Sequence, residues 1–479
     1  MPNPNLQFMS EIPPVPDYNP IRDALAGTND SQIARALRLF ASMPASTAVF
    51  ANPVRYRRTV ACDGTPVDLS IRSFAIRGCL LEEDIITGSA DAVRVIFVGL
   101  FGRFATAEEG RSFSKFISRE FNAAVNRTLP DVARFMKRFP EADAGAVMQY
   151  IASIRKASND SRPVNGSRPA GELLRDLMHA HLENAAVGAC SAYMRALSNR
   201  HERRTKLFLE SLDRDNAFHT IFSLLLRRKV NGTDAAILEN NGAIQIHHGS
   251  AGSNMVARYL ATLHAKSVSD IFTASQMTLD GARHFGAIDD LTEFVARLER
   301  VSPERQDELI RQRAIQGNLP VFGHPEIGAA GRSNLIELDP RPALYLAPLF
   351  AAIDAGHVKV SEPRRKRVRI VQRMYQIAFA EGIEKPNRAG RLRVTPNTDF
   401  GTWIVAEVLG IDERDRTLLS YVFRGFGWMM DVREQLQQPI IRPVIPPDPA
   451  IVPTEAEKGV IPEIIGAVHD RLCRPNAFM

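Results

Sequence analysis

The sequence predicts a mainly α-helical protein carrying one small N-terminal β patch. Three observations predict it. Apolar residues recur at helical spacing along most of the chain from Asp84 onward. One stretch alone, Val67, Leu69 and Ile71 after the turn signal Asp63-Gly64, alternates as a strand does. Prolines gather in residues 1–20 and Pro443–Pro453, at the two ends of the chain. A chain of 479 residues is too long for one small core, so a large helical unit and a smaller one are expected.

Taken in order, the proline-rich residues 1–20 read as an extended arm. Ile33, Leu37 and Leu39-Phe40 fall on one side of a helix over Ser31–Ser42. The alternating segment within Val60–Arg72 reads as a small hairpin or sheet. Helices follow at Ala107–Phe121, Leu129–Phe139 and Ala144–Ile154. Ala157–Gly171 is a loop by its Ser, Asn, Pro and Gly content, and a candidate for mobility. Helices resume at Glu172–Asn184 and Arg203–Leu226, and Asn254–Met277 reads as one long apolar helix. After Gly286, the residues Ile288, Leu291, Val295 and Leu298 make a clear apolar stripe. The basic run Arg364–Arg369 opens a further helix, Asp415–Leu436 is the last strong one, and a short helix near Pro462–Arg471 closes the chain. The boundaries drawn from this are a large unit over 1–286, a small one over 287–399, and a return to the large unit with a C-terminal arm over 400–479.

Composition narrows the function. The balance of 60 Lys+Arg against 54 Asp+Glu leaves +6, enough to favour small anions and too little to demand nucleic acid, for which no signature is present. Four scattered cysteines without metal-ligand spacing argue for a reducing compartment and against structural zinc. The longest apolar run, near Leu344–Ile353, is far short of a membrane span. The N-terminal MPNPNLQFMSEIPPVPDYNP has the pattern of neither a secretory nor a mitochondrial leader, so a cytoplasmic protein is expected.

Five stretches carry potential chemistry. His247-His248-Gly249-Ser250-Ala251-Gly252-Ser253 leads into a helix bearing Arg258, where small residues and a helix N-terminus suit an anion. Gly281-Ala282-Arg283-His284-Phe285-Gly286-Ala287 sets a histidine at a helix start, where the dipole keeps the ring neutral. Val321-Phe322-Gly323-His324-Pro325 pins another histidine on a rigid turn, followed by Asp339-Pro340-Arg341, whose guanidinium can fork onto a carboxylate. Pro396-Asn397-Thr398-Asp399 holds a carboxylate at a helix mouth. Finally Arg424, among aromatics and glycines, and Arg442 need anionic partners. Taken singly, the histidine stretches read more readily as capped turns or surface loops, and a protein carboxylate would satisfy Arg424 equally well. Their order and spacing set them apart.

That series, spanning roughly Ile246 to Pro443, resembles the citrate synthase family. A fainter likeness reaches back through Val98-Gly99-Leu100-Phe101-Gly102 and Ala105-Thr106-Ala107-Glu108-Glu109. The resemblance implies a citrate synthase-like two-domain helical fold and condensation of an acyl-CoA with oxaloacetate. By it, Asp399 removes the α-proton, neutral His284 bonds the thioester oxygen, and His324 donates to the ketone. His248, Arg341, Arg424 and Arg442 hold oxaloacetate, while Val321, Phe322 and Gly323 lie against coenzyme A. The coenzyme A thioester is a substrate; no resident cofactor or metal is implied. A homodimer with shared active sites is implied too, Arg442 reaching into the partner's site.

This chain departs from the family pattern at Gly249, where glutamate is usual, and at Phe285, Ile288 and Trp403, positions expected near the acyl chain. Acetyl-CoA is the expected donor; propionyl-CoA or a longer acyl-CoA, giving an alkylcitrate, is the alternative, and the cleavage direction uses the same residues. A catalytically silent relative with a regulatory role is the remaining alternative, and the presence together of His284, His324 and Asp399 argues against it.

Overall fold

The computed structural model describes residues 48–59, 66–76, 79–80, 92–158, 164, 169–197, 201–212, 216–247, 252–281, 286–323, 336–384, 395–436 and 455–473. Strands β1 (Ala48–Thr59) and β2 (Pro66–Ile76) pair antiparallel, as the alternation in Val67–Ile71 predicts, and β3 (Cys79–Leu80) continues from β2. Helices then run α1 (Ala92–Phe101), α2 (Ala107–Arg138), α3 (Ala144–Ser158), α4 (Ala170–Arg195), α5 (His201–Glu210), α6 (Ala217–Leu226) and α7 (Gly232–Gln245). They continue as α8 (Gly252–Thr262), α9 (Val268–Leu279), α10 (Gly286–Leu298) and α11 (Pro303–Gln316). After β4 (Ile336–Leu338) come α12 (Pro340–Asp354), α13 (Glu362–Glu384), α14 (Thr398–Leu409), a short 3-10 turn, α15 (Arg416–Gln435) and α16 (Glu455–Cys473). The mainly helical fold with a minor N-terminal sheet is as expected. No helix among the described residues is long and apolar enough to cross a membrane.

Several boundaries differ for identifiable reasons. The two helices expected around Pro130 are one, α2, opened by a capping box in which Thr106 and Glu109 satisfy each other's backbone N–H groups. The long helix expected over Asn254–Met277 is broken: His264 is left-handed (φ 50°) and Ser267 caps α9. Likewise Asn216 caps α6 and divides the expected Arg203–Leu226 helix. Strand β4 joins β2 in parallel, pairing Leu69 with Ile336 and Ile71 with Leu338, which no local pattern signals. Helix α16 extends well beyond the short helix expected, and its last residue, Cys473, is disulfide-bonded, at odds with the reduced thiols a reducing compartment implies. Residues 1–20, Ser31–Ser42 and Pro443–Pro453 lie outside the described residues, as does most of Ala157–Gly171.

The helix that positions the rest is α15, buried at almost every residue. Two of its glycines explain how it sits so deep. A Cβ on Gly427 would overlap the carbonyl of Ile246, and one on Gly425 would overlap the ring of His181 in α4. That ring bonds the carbonyl oxygen of Val422 through Nε2 at 2.7 Å. Burial depresses its pKa to about 4 against the lift from that bond, so the ring is neutral and Nε2–H is the donor.

Candidate active site

Asp399 lies in the first turn of α14, and its position is set by two segments far apart in sequence. Asn397 caps the helix, its side-chain oxygen accepting from the Asp399 N–H at 3.0 Å. The preceding residues are clipped to the turn that leads to His324. The Gly323 N–H donates to the Thr395 carbonyl at 2.7 Å, and the Asn397 N–H to the Val321 carbonyl at 3.0 Å. Phe322 bridges to Pro396, and its ring meets Phe400 edge-on at 5.7 Å. Gly323 takes φ 85°, which suits glycine; Val321 takes φ 61°, costly for a β-branched residue and held here by the clip. Val321 and Phe322, expected against coenzyme A, are themselves buried.

Arg341 and Arg424, named from sequence, share Asp399's electrostatic surroundings, and all three are buried. Arg341 is in the first turn of α12. Its fork is engaged by Asp339, the cap of that helix: Nε reaches Oδ1 at 2.9 Å and Nη2 reaches Oδ2 at 2.8 Å. The carboxylate expected for this fork in substrate is thus matched by one in the protein. Arg424 comes from α15 and makes one weak contact, Nη1 to Asn254 Oδ1 at 3.2 Å. Among the described residues its Nε has no hydrogen-bond partner. Burial depresses the Arg424 pKa to about 10, against the lift from Tyr345 and Asp399.

Burial acts on Asp399 in the opposite sense. It raises the carboxyl to about 7, against the lowering pull of Arg424 and Arg341, with Asp339 adding to the rise. A carboxyl tuned to neutral pH has the basicity a proton-abstracting group needs.

Seven residues further along α15, Asp431 organises a second polar cluster. It accepts from His247 Nε2 at 2.9 Å, Asn254 Nδ2 at 2.6 Å and Arg258 Nη2 at 2.6 Å, and Arg258 also pairs with Glu434 at 2.7 Å. Burial works against the Asp431 anion, but Arg258 and His247 outweigh it and lower its pKa. Asn254 joins this cluster to Arg424. His247 is therefore turned into the protein, at the end of α7.

Trp403 and Ile288, expected near the acyl chain, are core residues instead. The Trp403 indole N–H donates to Thr292 Oγ1 at 3.0 Å, and the Arg416 guanidinium lies 5.0 Å from the centre of its ring. Ile288 is fully buried in the apolar core. Three residues of the basic run meet acidic neighbours: Arg365 and Arg369 pair with Glu362, and Arg367 with Glu299 and Glu407.

His248, His284, His324 and Arg442 lie outside the described residues. Three neighbours of the site went unnamed in the sequence reading: Tyr345, Asn254 and Asp431. Tyr345 follows Arg341 by four residues, on the same face of α12, and that spacing was the available signal. Nothing local marks Asn254 or Asp431.

Asp399, Arg341 and Arg424 thus share one buried site on a mainly helical fold. The family model for the citrate synthase C-terminal domain matches residues 57–444, so the chain belongs to the citrate synthase family. Among solved structures it is similar to citrate synthase from the archaeon Thermoplasma acidophilum, in ternary complex with carboxymethyl coenzyme A and oxaloacetate. Identity there is 18%, with TM-score 0.55, covering 78% of this chain and 89% of that one. It is similar also to citrate synthase from Thermotoga maritima MSB8 (16%, TM-score 0.55, 82% and 92% covered) and from Pyrobaculum aerophilum (16%, TM-score 0.57, 78% and 86% covered). At these identities the structural likeness shows a shared fold. No curated protein matches the sequence.

Proposed function

We propose that this protein condenses an acyl-CoA, acetyl-CoA first among candidates, with oxaloacetate, releasing citrate or an alkylcitrate and free coenzyme A. Asp399 is the base for the α-proton of the thioester. His284, neutral, hydrogen-bonds the thioester oxygen as negative charge builds there. His324 donates to the ketone oxygen of oxaloacetate as the new carbon–carbon bond forms, and water then cleaves the thioester carbon–sulfur bond. A donor aimed at developing oxyanion charge is worth about 3–4 kcal/mol. His248, Arg341, Arg424 and Arg442 hold oxaloacetate, with Asp339 fixing the orientation of the Arg341 fork. The engagement of His247 by Asp431 favours His248 as the ligand of the pair.

The observation that carries this proposal is the Asp399 carboxyl, raised to about 7 and buried beside Arg424. The chain would work as a homodimer, residues 287–399 closing as a smaller domain on the remainder to exclude water until condensation is complete. The test is thiol release by the purified protein given oxaloacetate and a panel of acyl-CoAs. Turnover with acetyl-CoA and none with propionyl-CoA is the expected outcome; propionyl-CoA as the better substrate would make it an alkylcitrate synthase. A folded protein that releases no thiol from any of them would sink the condensation reading.

A further inference from the structure

Tyr345 stands on α12 one turn beyond Arg341, so the phenol and the guanidinium share a helix face. Across from it, α14 presents Gly401, two residues past Asp399. A Cβ there would overlap the Tyr345 ring, so the missing side chain of Gly401 makes the seat in which the ring lies. The ring is fully buried and packs with Ile244 and Leu344. Its hydroxyl has no hydrogen-bond partner among the described residues, and neither has Nε of Arg424. A buried polar group left without a partner costs roughly 1–3 kcal/mol. Two such donors in one buried neighbourhood with Asp399 are hard to reconcile with packing alone, for which phenylalanine would serve better at 345.

We infer that Tyr345 is a substrate-contacting residue of this site, its phenolic O–H donating to a carboxylate oxygen of bound oxaloacetate alongside Arg424; this rests on the condensation reading. Charge supports the choice of ligand. Arg341 shares its charge with Asp339, so a neutral donor beside Arg424 adds a hydrogen bond to the ligand's carboxylate. A phenol supplies one without adding charge to desolvate. Burial holds its pKa well above the ordinary tyrosine value, so the O–H stays protonated wherever Asp399 is ionised.

The test is Tyr345→Phe, which removes one oxygen and keeps the ring. Oxaloacetate binding is measured by titration calorimetry, and the Michaelis constants for both substrates by thiol release, beside the parent and Arg424→Leu. The expected result is oxaloacetate binding about 10- to 100-fold weaker, the loss of one hydrogen bond to a charged acceptor. The Michaelis constant for acyl-CoA should stay within about twofold, since that contact lies on the other substrate. The ligand-free melting temperature should equal or exceed the parent's, because a buried group with no partner among the described residues has been removed, while the rise on adding oxaloacetate shrinks. Parent-like oxaloacetate affinity in Tyr345→Phe, with Arg424→Leu impaired, would overturn the assignment of Tyr345 and leave the condensation reading intact. Absence of oxaloacetate binding by the parent itself would overturn both. Equal losses for both substrates, or a fall in ligand-free stability, would mark Tyr345 as a packing residue and overturn its contact role.

Discussion

Two polar clusters lie along the same buried helix, and they are built in opposite ways. Around Asp431 every carboxylate oxygen is engaged, by His247, Asn254 and Arg258, and the guanidinium of Arg258 is shared with Glu434. Around Asp399 the charges are close but under-matched: the carboxyl is raised to about 7, and both Arg424 Nε and the Tyr345 hydroxyl have no partner among the described residues. A carboxylate engaged at both oxygens, as Asp431 is, has nothing left to offer a ligand and fixes geometry. An unsaturated cluster stores binding capacity at a cost in stability. Asn254, bonded to both Asp431 and Arg424, ties the second cluster to the first, so the frame holds the working part in place.

The contrast can be broken at several points. Replacing the base, Asp399→Asn, should reduce thiol release about a thousandfold or more while leaving oxaloacetate affinity nearly unchanged, since the carboxylate acts on the other substrate. Turnover near the parent's would remove it as the base. Asp431→Ala should act on folding instead. It removes the carboxylate that Arg258 and His247 share, and breaking a buried pair costs about 3–5 kcal/mol, read as a lower urea midpoint. An unchanged midpoint would deny the cluster its structural role. Arg424→Leu is intermediate: oxaloacetate binding should weaken at least about tenfold, while ligand-free stability holds or rises because an incompletely paired buried cation is gone.

The smallest effect sharpens the comparison through pH. The folded pKa of Asp399 is above its unfolded value of roughly 4, so the folded state binds the extra proton between there and about 7. The stability this group permits is full below the unfolded pKa and is lost as pH rises through that window. Asp399→Asn should therefore melt higher than the parent at pH 8 and match it more closely at pH 4. Parent turnover should climb as pH passes about 7, when the base ionises. A melting difference that does not change with pH would contradict the raised carboxyl.

Much of the site was legible because its residues sit at element starts, where turn chemistry is local. Pro396-Asn397 announces the cap before Asp399, and Asp339-Pro340 announces the start of α12. The helical class was legible from periodicity. What escaped was long-range. Asp339 engages the Arg341 fork, a protein partner that the sequence reading does not name. Trp403 looks like a specificity position until the Thr292 hydroxyl and Arg416 take it into the core. Helix breaks at His264 and Asn216 were hidden because the flanking apolar residues keep their spacing across the gap. Strand β4 gains its conformation only from β2, and nothing within Ile336–Leu338 foretells the partner.

The clip between 321–323 and 395–397 bears on tolerance to error. The turn at Val321–Gly323 and the helix start that carries Asp399 take their places from a shared handful of backbone bonds, independent of the long chain that separates them. Drift in α11 or α13, whether from substitution or heat, reaches both together and leaves their mutual spacing nearly untouched. Damage to the clip itself, as by lengthening the side chain at 323, would disconnect them while every helix stayed whole.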